Sequence, residues 1–103
     1  MGRAEQSRHI AIRFGHNVFR ARRRADLSQE ELSFRSGLHR TEIGLVENGD
    51  RVPRLDTVLK LAGGIDVDPC ELIDGMAWMP QGFKQGSFYV IGEDSSRPRA
   101  GGS

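Results

Sequence analysis

Apolar side chains recur at helical spacing from the tenth residue on. Ile10, Phe14, Val18, Ala21 and Ala25 follow one another at steps of four and three, a single stripe, with Arg13, Arg20, Arg23 and Arg24 mostly off it. This predicts an amphipathic helix ending near Ala25, with Asp26 in the turn. Leu27-Ser28-Gln29-Glu30-Glu31-Leu32 then spells a capping box, Ser28 as N-cap and Glu31 three residues on, with Leu27 and Leu32 as hydrophobic staple. The same grammar returns at Val67-Asp68-Pro69-Cys70-Glu71-Leu72, where Asp68 caps, Pro69 opens the helix and Glu71 completes the box. Between these starts, Gly37 ends the helix that Ser28 begins, because glycine enters the left-handed conformation without steric cost. A short helix is expected from His39 to about Glu47, closed by Asn48-Gly49, and Pro53 marks a loop. Arg54 to Ala62 reads as helix, with Leu55, Val58, Leu59 and Ala62 inward and Gly63-Gly64 breaking it. Glu71 to Asp74 is expected to complete a fifth helix, stopped by Gly75.

After Gly75 the pattern changes. Residues 76–92 hold four of the seven aromatics and no helical period. Ser87-Phe88-Tyr89-Val90-Ile91 is β-branched and aromatic between two glycines, which predicts one strand. A lone strand cannot satisfy its backbone, so it must pair. Pairing with the same strand of a second molecule is favoured, since it hides the edge and gives a two-fold dimer. The alternative is a local hairpin with Trp78-Met79 or Phe83-Lys84. The expected organisation is thus a five-helix unit over residues 8–75, a dimerisation segment over 76–92 and a loose polar tail over 93–103. Trp78, Phe83, Phe88, Tyr89, Val90 and Ile91 are the candidate dimerisation residues.

Length and composition narrow the class. One hundred and three residues, 37% hydrophobic and 28% charged, suit one small globular domain with a modest core. No run approaches the roughly 18 apolar residues of a membrane span, and no apolar stretch follows the first charges as in a secretory signal. One cysteine cannot form an internal disulfide, so a cytoplasmic, nucleoid-associated location is expected. The net charge of +1 conceals a division: residues 1–25 carry seven arginines and one acid, whereas residues 26–75 carry five basic and eleven acidic side chains. Such asymmetry fits a polyanion footprint or an intramolecular complement, and the small total excludes coating of nucleic acid by bulk charge.

Two short helices joined through Gly37-Leu38-His39 form a helix-turn-helix candidate, with Leu38 plugging the angle between them. Ile43 and Val46 would face inward from the second helix. Its other face would then present Arg40, Thr41, Gly44 and Leu45, short or hydrogen-bonding groups suited to a major groove. Arg40 can bridge guanine, Thr41 can reach a base edge or phosphate, Leu45 can lie on a thymine methyl, and Gly44 lets the backbone approach.

Taken in order, Leu27-Ser28-Gln29-Glu30-Glu31-Leu32, Ser36-Gly37-Leu38, Ile43-Gly44-Leu45-Val46-Glu47-Asn48-Gly49, Pro53 and Leu55 through Leu61-Ala62 resemble the lambda-repressor-like Cro/XRE-type DNA-binding domain. The resemblance runs from about Phe14 to Gly75, some sixty percent of the chain. It implies an all-α, five-helix fold, with residues 28–36 as positioning helix and 39–47 as recognition helix. It further implies that Gln29 contacts phosphate, that Arg51 and Arg54 meet the backbone or minor groove, and that Arg22 and Glu47 form an ion pair. Four departures stand out. Asp26 and Asp66 replace glycines, which aspartate tolerates in the left-handed region. His39 replaces a Ser or Thr cap. Leu45 stands where a polar base-reader is common. Phe19 and Phe34 occupy normally polar positions and, with Ile12, suggest a second apolar patch that Trp78, Phe83 or Phe88 of the same or a partner chain would cover.

Blander readings apply elsewhere. Arg20 to Arg24 reads foremost as a solvated face balancing the acidic middle. Cys70 reads as a partly buried small residue and not a redox switch. His9, His16 and His39 lack ligand-spaced partners, so no metal or cofactor is expected. Asp66, Asp68, Glu71 and Asp74 are explained as caps and helix surface. No nucleophile, base and orienter assemble, so no enzyme is expected. The expected function is a dimeric, sequence-specific transcriptional regulator of double-stranded DNA, most simply a repressor reading a palindrome. The alternatives are an antitoxin gripping a protein toxin through its C-terminal segment, and a factor that bridges to the transcription machinery without reading bases.

Overall fold

The computed structural model describes residues 7–81 and 84–92; Phe83 and the expected tail over 93–103 lie outside them. Helix α1 (Arg8–Arg24) buries Ala11, Phe14, Val18 and Ala21 along the expected stripe, while Ala25 becomes its exposed C-cap. Asp26 turns the chain at φ 62°. Helix α2 (Gln29–Ser36) opens with the full capping box: the Glu31 amide donates to Ser28 Oγ at 2.9 Å, and the Ser28 amide donates to Glu31 Oε1 at 2.7 Å. Gly37 closes α2 at φ 78°. Helix α3 (Arg40–Glu47) follows directly, and the imidazole of His39 serves as its cap, Nδ1 accepting from the Thr41 amide at 3.2 Å.

Helix α4 (Leu55–Ile65) corrects two expectations. Gly63 and Gly64 do not break it; it runs to Asp66, which ends it in the left-handed region at φ 72°. The reason for Gly64 is contact with α2: a Cβ there would lie 2.9 Å from Leu32 Cδ1 and 3.1 Å from Ser36 Cβ. Gly63 has no such reason, for a Cβ there meets nothing within 4 Å, although glycine inside a helix costs about 0.5–1 kcal/mol relative to alanine. Second, Leu55 and Leu59 do not point inward. The core takes Val58, Leu61, Ala62 and Ile65 from α4, which leaves Leu55 75% and Leu59 52% exposed.

Helix α5 (Pro69–Leu72) opens at Pro69 as expected but stops short of Asp74. Asp68 caps it by accepting from the Cys70 amide at 2.8 Å. Glu71 does not complete a box, because its carboxylate pairs with Arg24 instead. Phe14, Val18, Leu32, Ile43, Val46, Leu61 and Leu72 are the largest fully buried side chains. Each contributes on the order of 1.5–3 kcal/mol by leaving water, and all five helices supply at least one. Leu38 packs on this cluster from the turn, as expected.

Strand β1 (Met76–Gln81) pairs antiparallel with β2 (Lys84–Val90), in the register Met76↔Val90 and Trp78↔Phe88. The expected pairing between molecules is therefore corrected to a hairpin within the chain. Two residues separate the strands, so the intrachain partner is reached with little loss of chain entropy. The register shifts between Met79 and Gln81, around Pro80, which has no N–H to donate. Trp78 and Phe88 meet edge to face, with centroids 4.9 Å apart. The hairpin docks on the N-terminal half of α1: His9 Nε2 donates to the Phe88 carbonyl at 2.5 Å, and Arg13 Nη2 donates to the carbonyls of Ile91 and Gly92 at 3.1 and 3.4 Å.

The second apolar patch is not covered by this hairpin. Phe34 is 90% exposed and Ile12 lies beside Gly49. Phe19 has a local explanation, since the guanidinium carbons of Arg22 and Arg23 stand 5.4 and 5.6 Å from its ring centroid. Among the described residues, no helix is long and apolar enough to cross a membrane.

Candidate nucleic-acid interface

The geometry of the site begins with what holds α3 down. Ile43 and Val46 are fully buried. A side chain at Gly15 of α1 would run into the carbonyl oxygens of Val46 and Glu47, so the end of α3 lies directly on the α1 backbone. Beside this contact the Arg22–Glu47 ion pair closes as a fork, Nε to Oε2 at 2.6 Å and Nη2 to Oε1 at 3.0 Å, with side chains only 8% and 5% exposed. Arg22 Nη1 also donates to the Leu27 carbonyl at 2.8 Å. The Arg22–Glu47 pair thus joins α1, the α1–α2 turn and α3.

Gln29 meets the same carboxylate: its Nε2 donates to Glu47 Oε1 at 3.0 Å. Sequence reasoning placed Gln29 toward phosphate and did not see this bond, which fixes the first residue of α2 against the last of α3. The two helices of the motif are further tied by Ser33 Oγ donating to the Leu38 carbonyl at 2.6 Å.

With one face so held, the other is presented. Arg40 and Thr41 are exposed at the start of α3, and Gly44 and Leu45 are half-buried one turn on. A Cβ at Gly44 would meet nothing within 4 Å, so a surface can approach the backbone there. Neither Arg40 nor Thr41 carries a side-chain hydrogen bond or ion pair among the described residues. Arg51, in the loop after α3, is held toward it by Glu42, Nη1 to Oε1 at 3.5 Å. Arg54, the N-cap of α4, reaches Asp56 at 3.2 Å. Arg40, Thr41, Gly44 and Leu45 therefore share one helix, and Arg51 joins them through Glu42. Gln29 is half-buried, its amide held by Glu47. Glu42 was missed from sequence because its loop partner lies nine residues away, beyond helical spacing.

The arginine run after Phe19 divides by destination. Arg22 goes inward to Glu47, Arg23 lies over Phe19 and Arg24 pairs with Glu71, which is the intramolecular complement foreseen for this segment. Cys70 is exposed and not partly buried. The hydrogen bond that the Cys70 thiol donates to the Asp68 carboxylate, and then the charge of Asp68, push the thiol pKa up from the ordinary 9.0, which disfavours the thiolate that redox chemistry needs. At the α2 cap, the Ser28 amide and then its hydroxyl hold Glu31 below the ordinary 4.5. Among the described residues, no cluster of three or more His, Cys, Asp or Glu could hold a metal ion.

A helix-turn-helix family model matches residues 18–72. The control protein C.BamHI of Bacillus amyloliquefaciens is 37% identical over 67 residues, 64% of this chain and 83% of that protein. An uncharacterized HTH-type transcriptional regulator, y4dJ, of Sinorhizobium fredii is 37% identical over 59 residues, 57% of this chain and 77% of that one. Among solved structures, the restriction-modification controller protein C.AhdI from Aeromonas hydrophila matches with a TM-score of 0.59 at 44% identity, over 60% of this chain and 94% of that one. The controller protein C.Esp1396I shares the fold at a TM-score of 0.58 and 21% identity, over 61% of this chain and 82% of that one. The matched segment extends from α1 into α5 and exceeds half of the sequence, so the chain belongs to the helix-turn-helix family.

Proposed function

We propose that this protein is a dimeric, sequence-specific DNA-binding transcriptional regulator that represses by occluding a promoter. The carrying observation is α3: Ile43, Val46 and Glu47 are locked into the domain while Arg40, Thr41, Gly44 and Leu45 face outward. An exposed helix of this kind fits the major groove. In this reading Arg40 bridges a guanine, Thr41 reaches a base edge or a phosphate, and Leu45 lies on a thymine methyl. Arg51 and Arg54 contact the phosphate backbone and set register. Gln29 contacts phosphate while Glu47 holds its amide. Two copies one helical turn of DNA apart read a palindrome.

The relatives named as control or controller proteins of restriction–modification support the regulator over the antitoxin alternative, and point to genes of such a system as the target. Selection of sites from random duplexes, followed by binding measurements, tests the proposal. A palindromic site should emerge, with affinity falling steeply as salt rises. Arg40→Ala should weaken the selected site by about 1–3 kcal/mol and relax preference at one base position. An equal loss on selected and random DNA would refute the assignment of Arg40.

A further inference from the structure

The imidazole that caps α3 has a second ring nitrogen, and its surroundings fix what that nitrogen carries. The backbone at residue 39 is pinned from both directions. Leu38 packs on the core, its amide donates to Ser36 Oγ at 3.1 Å, and its carbonyl accepts from Ser33 Oγ at 2.6 Å. The His39 carbonyl accepts from the amides of Glu42 and Ile43 at 2.9 and 3.2 Å. The ring is then held by the Thr41 amide, which donates to Nδ1 at 3.2 Å. A nitrogen that accepts carries no proton, so the single ring proton of the neutral imidazole sits on Nε2. Nε2 lies on the opposite edge of an exposed side chain and has no hydrogen-bond partner among the described residues.

We infer that His39 contacts DNA directly, its Nε2–H donating to a phosphate oxygen at the edge of the groove that α3 enters. The inference rests on the DNA reading above and adds a residue to it. In that reading Arg40 and Thr41 are the first residues of α3 to reach the bases. The residue one step behind them lies toward the wall of the groove, where the acceptors are phosphate oxygens. Both the backbone and Nδ1 of His39 are committed before DNA is met, so little rotamer freedom is lost on contact. A serine would cap the Thr41 amide as well, but it is too short to cap and to reach outward at once.

The charges around the ring leave the position open to an anion. Arg35, near the end of α2, donates to the Gly64 carbonyl, and Glu42, in the first turn of α3, is engaged by Arg51. Arg40, adjacent in the chain, is exposed and has no ion-pair partner among the described residues. The donor of His39 therefore stands beside a free guanidinium, and the nearest acid is already neutralised.

Binding of the full chain to the selected duplex and to a random one, with Tm measured on the same variants, tests the inference. His39→Ala removes cap and donor together, so Tm should fall by about 5 °C and affinity should fall with it. His39→Ser returns the cap without the donor. Its Tm should equal or exceed that of the wild type, yet its affinity at pH 8 should be about tenfold lower per half-site, the worth of one hydrogen bond to a charged acceptor. Phosphates carry no sequence information, so the loss should be similar on both duplexes. Acid supplies a second readout. Protonation turns the ring into a cation, so at pH 5.5 the wild-type slope of log affinity against log salt should be steeper than that of His39→Ser by about one per protomer. At pH 8 the two slopes should agree. His9 and His16 are present in both proteins, so the difference belongs to residue 39. Wild-type affinity in His39→Ser, or equal slopes at pH 5.5, would overturn the inference and leave His39 a cap alone. A loss confined to the selected duplex would overturn the phosphate contact in favour of a base acceptor. A wild-type chain that selects no sequence sinks the DNA reading itself, whereas a palindrome bound equally well by His39→Ser sinks this contact and leaves that reading intact.

Discussion

Glu47→Ala is the most informative single change for the scaffold of the site. The substitution removes both oxygens of the fork and leaves the Arg22 guanidinium buried, with only the Leu27 carbonyl to accept from it. It also strips Gln29 of its acceptor. An uncompensated buried charge costs roughly 3–5 kcal/mol, against a total stability of about 5–15 kcal/mol for a domain of this kind. With each kcal/mol worth about 4–8 °C in a small domain, Tm should fall on the order of 20 °C. Urea unfolding followed by far-ultraviolet circular dichroism gives the free energy directly. The double variant Arg22→Met with Glu47→Leu removes the charge along with its partner, so its loss should be much smaller than the sum of the single losses. Glu47→Gln keeps an acceptor for Gln29 and should fall between wild type and Glu47→Ala. A single loss below about 1 kcal/mol, or additive losses in the double variant, would show that the fork does not hold α1 to α3.

The two glycines of α4 should respond oppositely to alanine: Gly63→Ala should stabilise the fold by about 0.5–1 kcal/mol, whereas Gly64→Ala should destabilise it by roughly 1–3 kcal/mol through overlap with Leu32 and Ser36, both read from urea midpoints. Glu31 is held below its ordinary 4.5 when folded, so its contribution is complete above that pH and lost as pH falls through the lowered value; Glu31→Gln should flatten the acid limb of the stability curve and leave the neutral region with a constant offset. Arg13→Met should free the hairpin from α1, seen as a change in Trp78 fluorescence without loss of helical signal. Arg51→Ala and Arg54→Ala should each lower the slope of log affinity against log salt by about one, nearly equally on all sequences.

The local grammar of this chain was written in its sequence. Capping at Ser28 and Asp68, the left-handed turns at Asp26, Gly37 and Asp66, and the inward spacing of Phe14, Val18, Ile43 and Val46 depend on neighbours within a turn or two. Residue type and interval therefore settle them. The helix-turn-helix signature is the sum of such local signals, which is why its outward residues could be named before any coordinates. What tertiary structure decided depends on partners far along the chain. Leu55 and Leu59 look like core until Leu61 and Ile65 occupy it. Gly64 looks like a helix breaker until Leu32 and Ser36 press against it. Glu71 looks like a capping residue until Arg24 arrives from α1, and β1 looks like no strand until β2 lies beside it. In each case the competing interactions are close in energy, and the burial available only in the assembled fold selects between them.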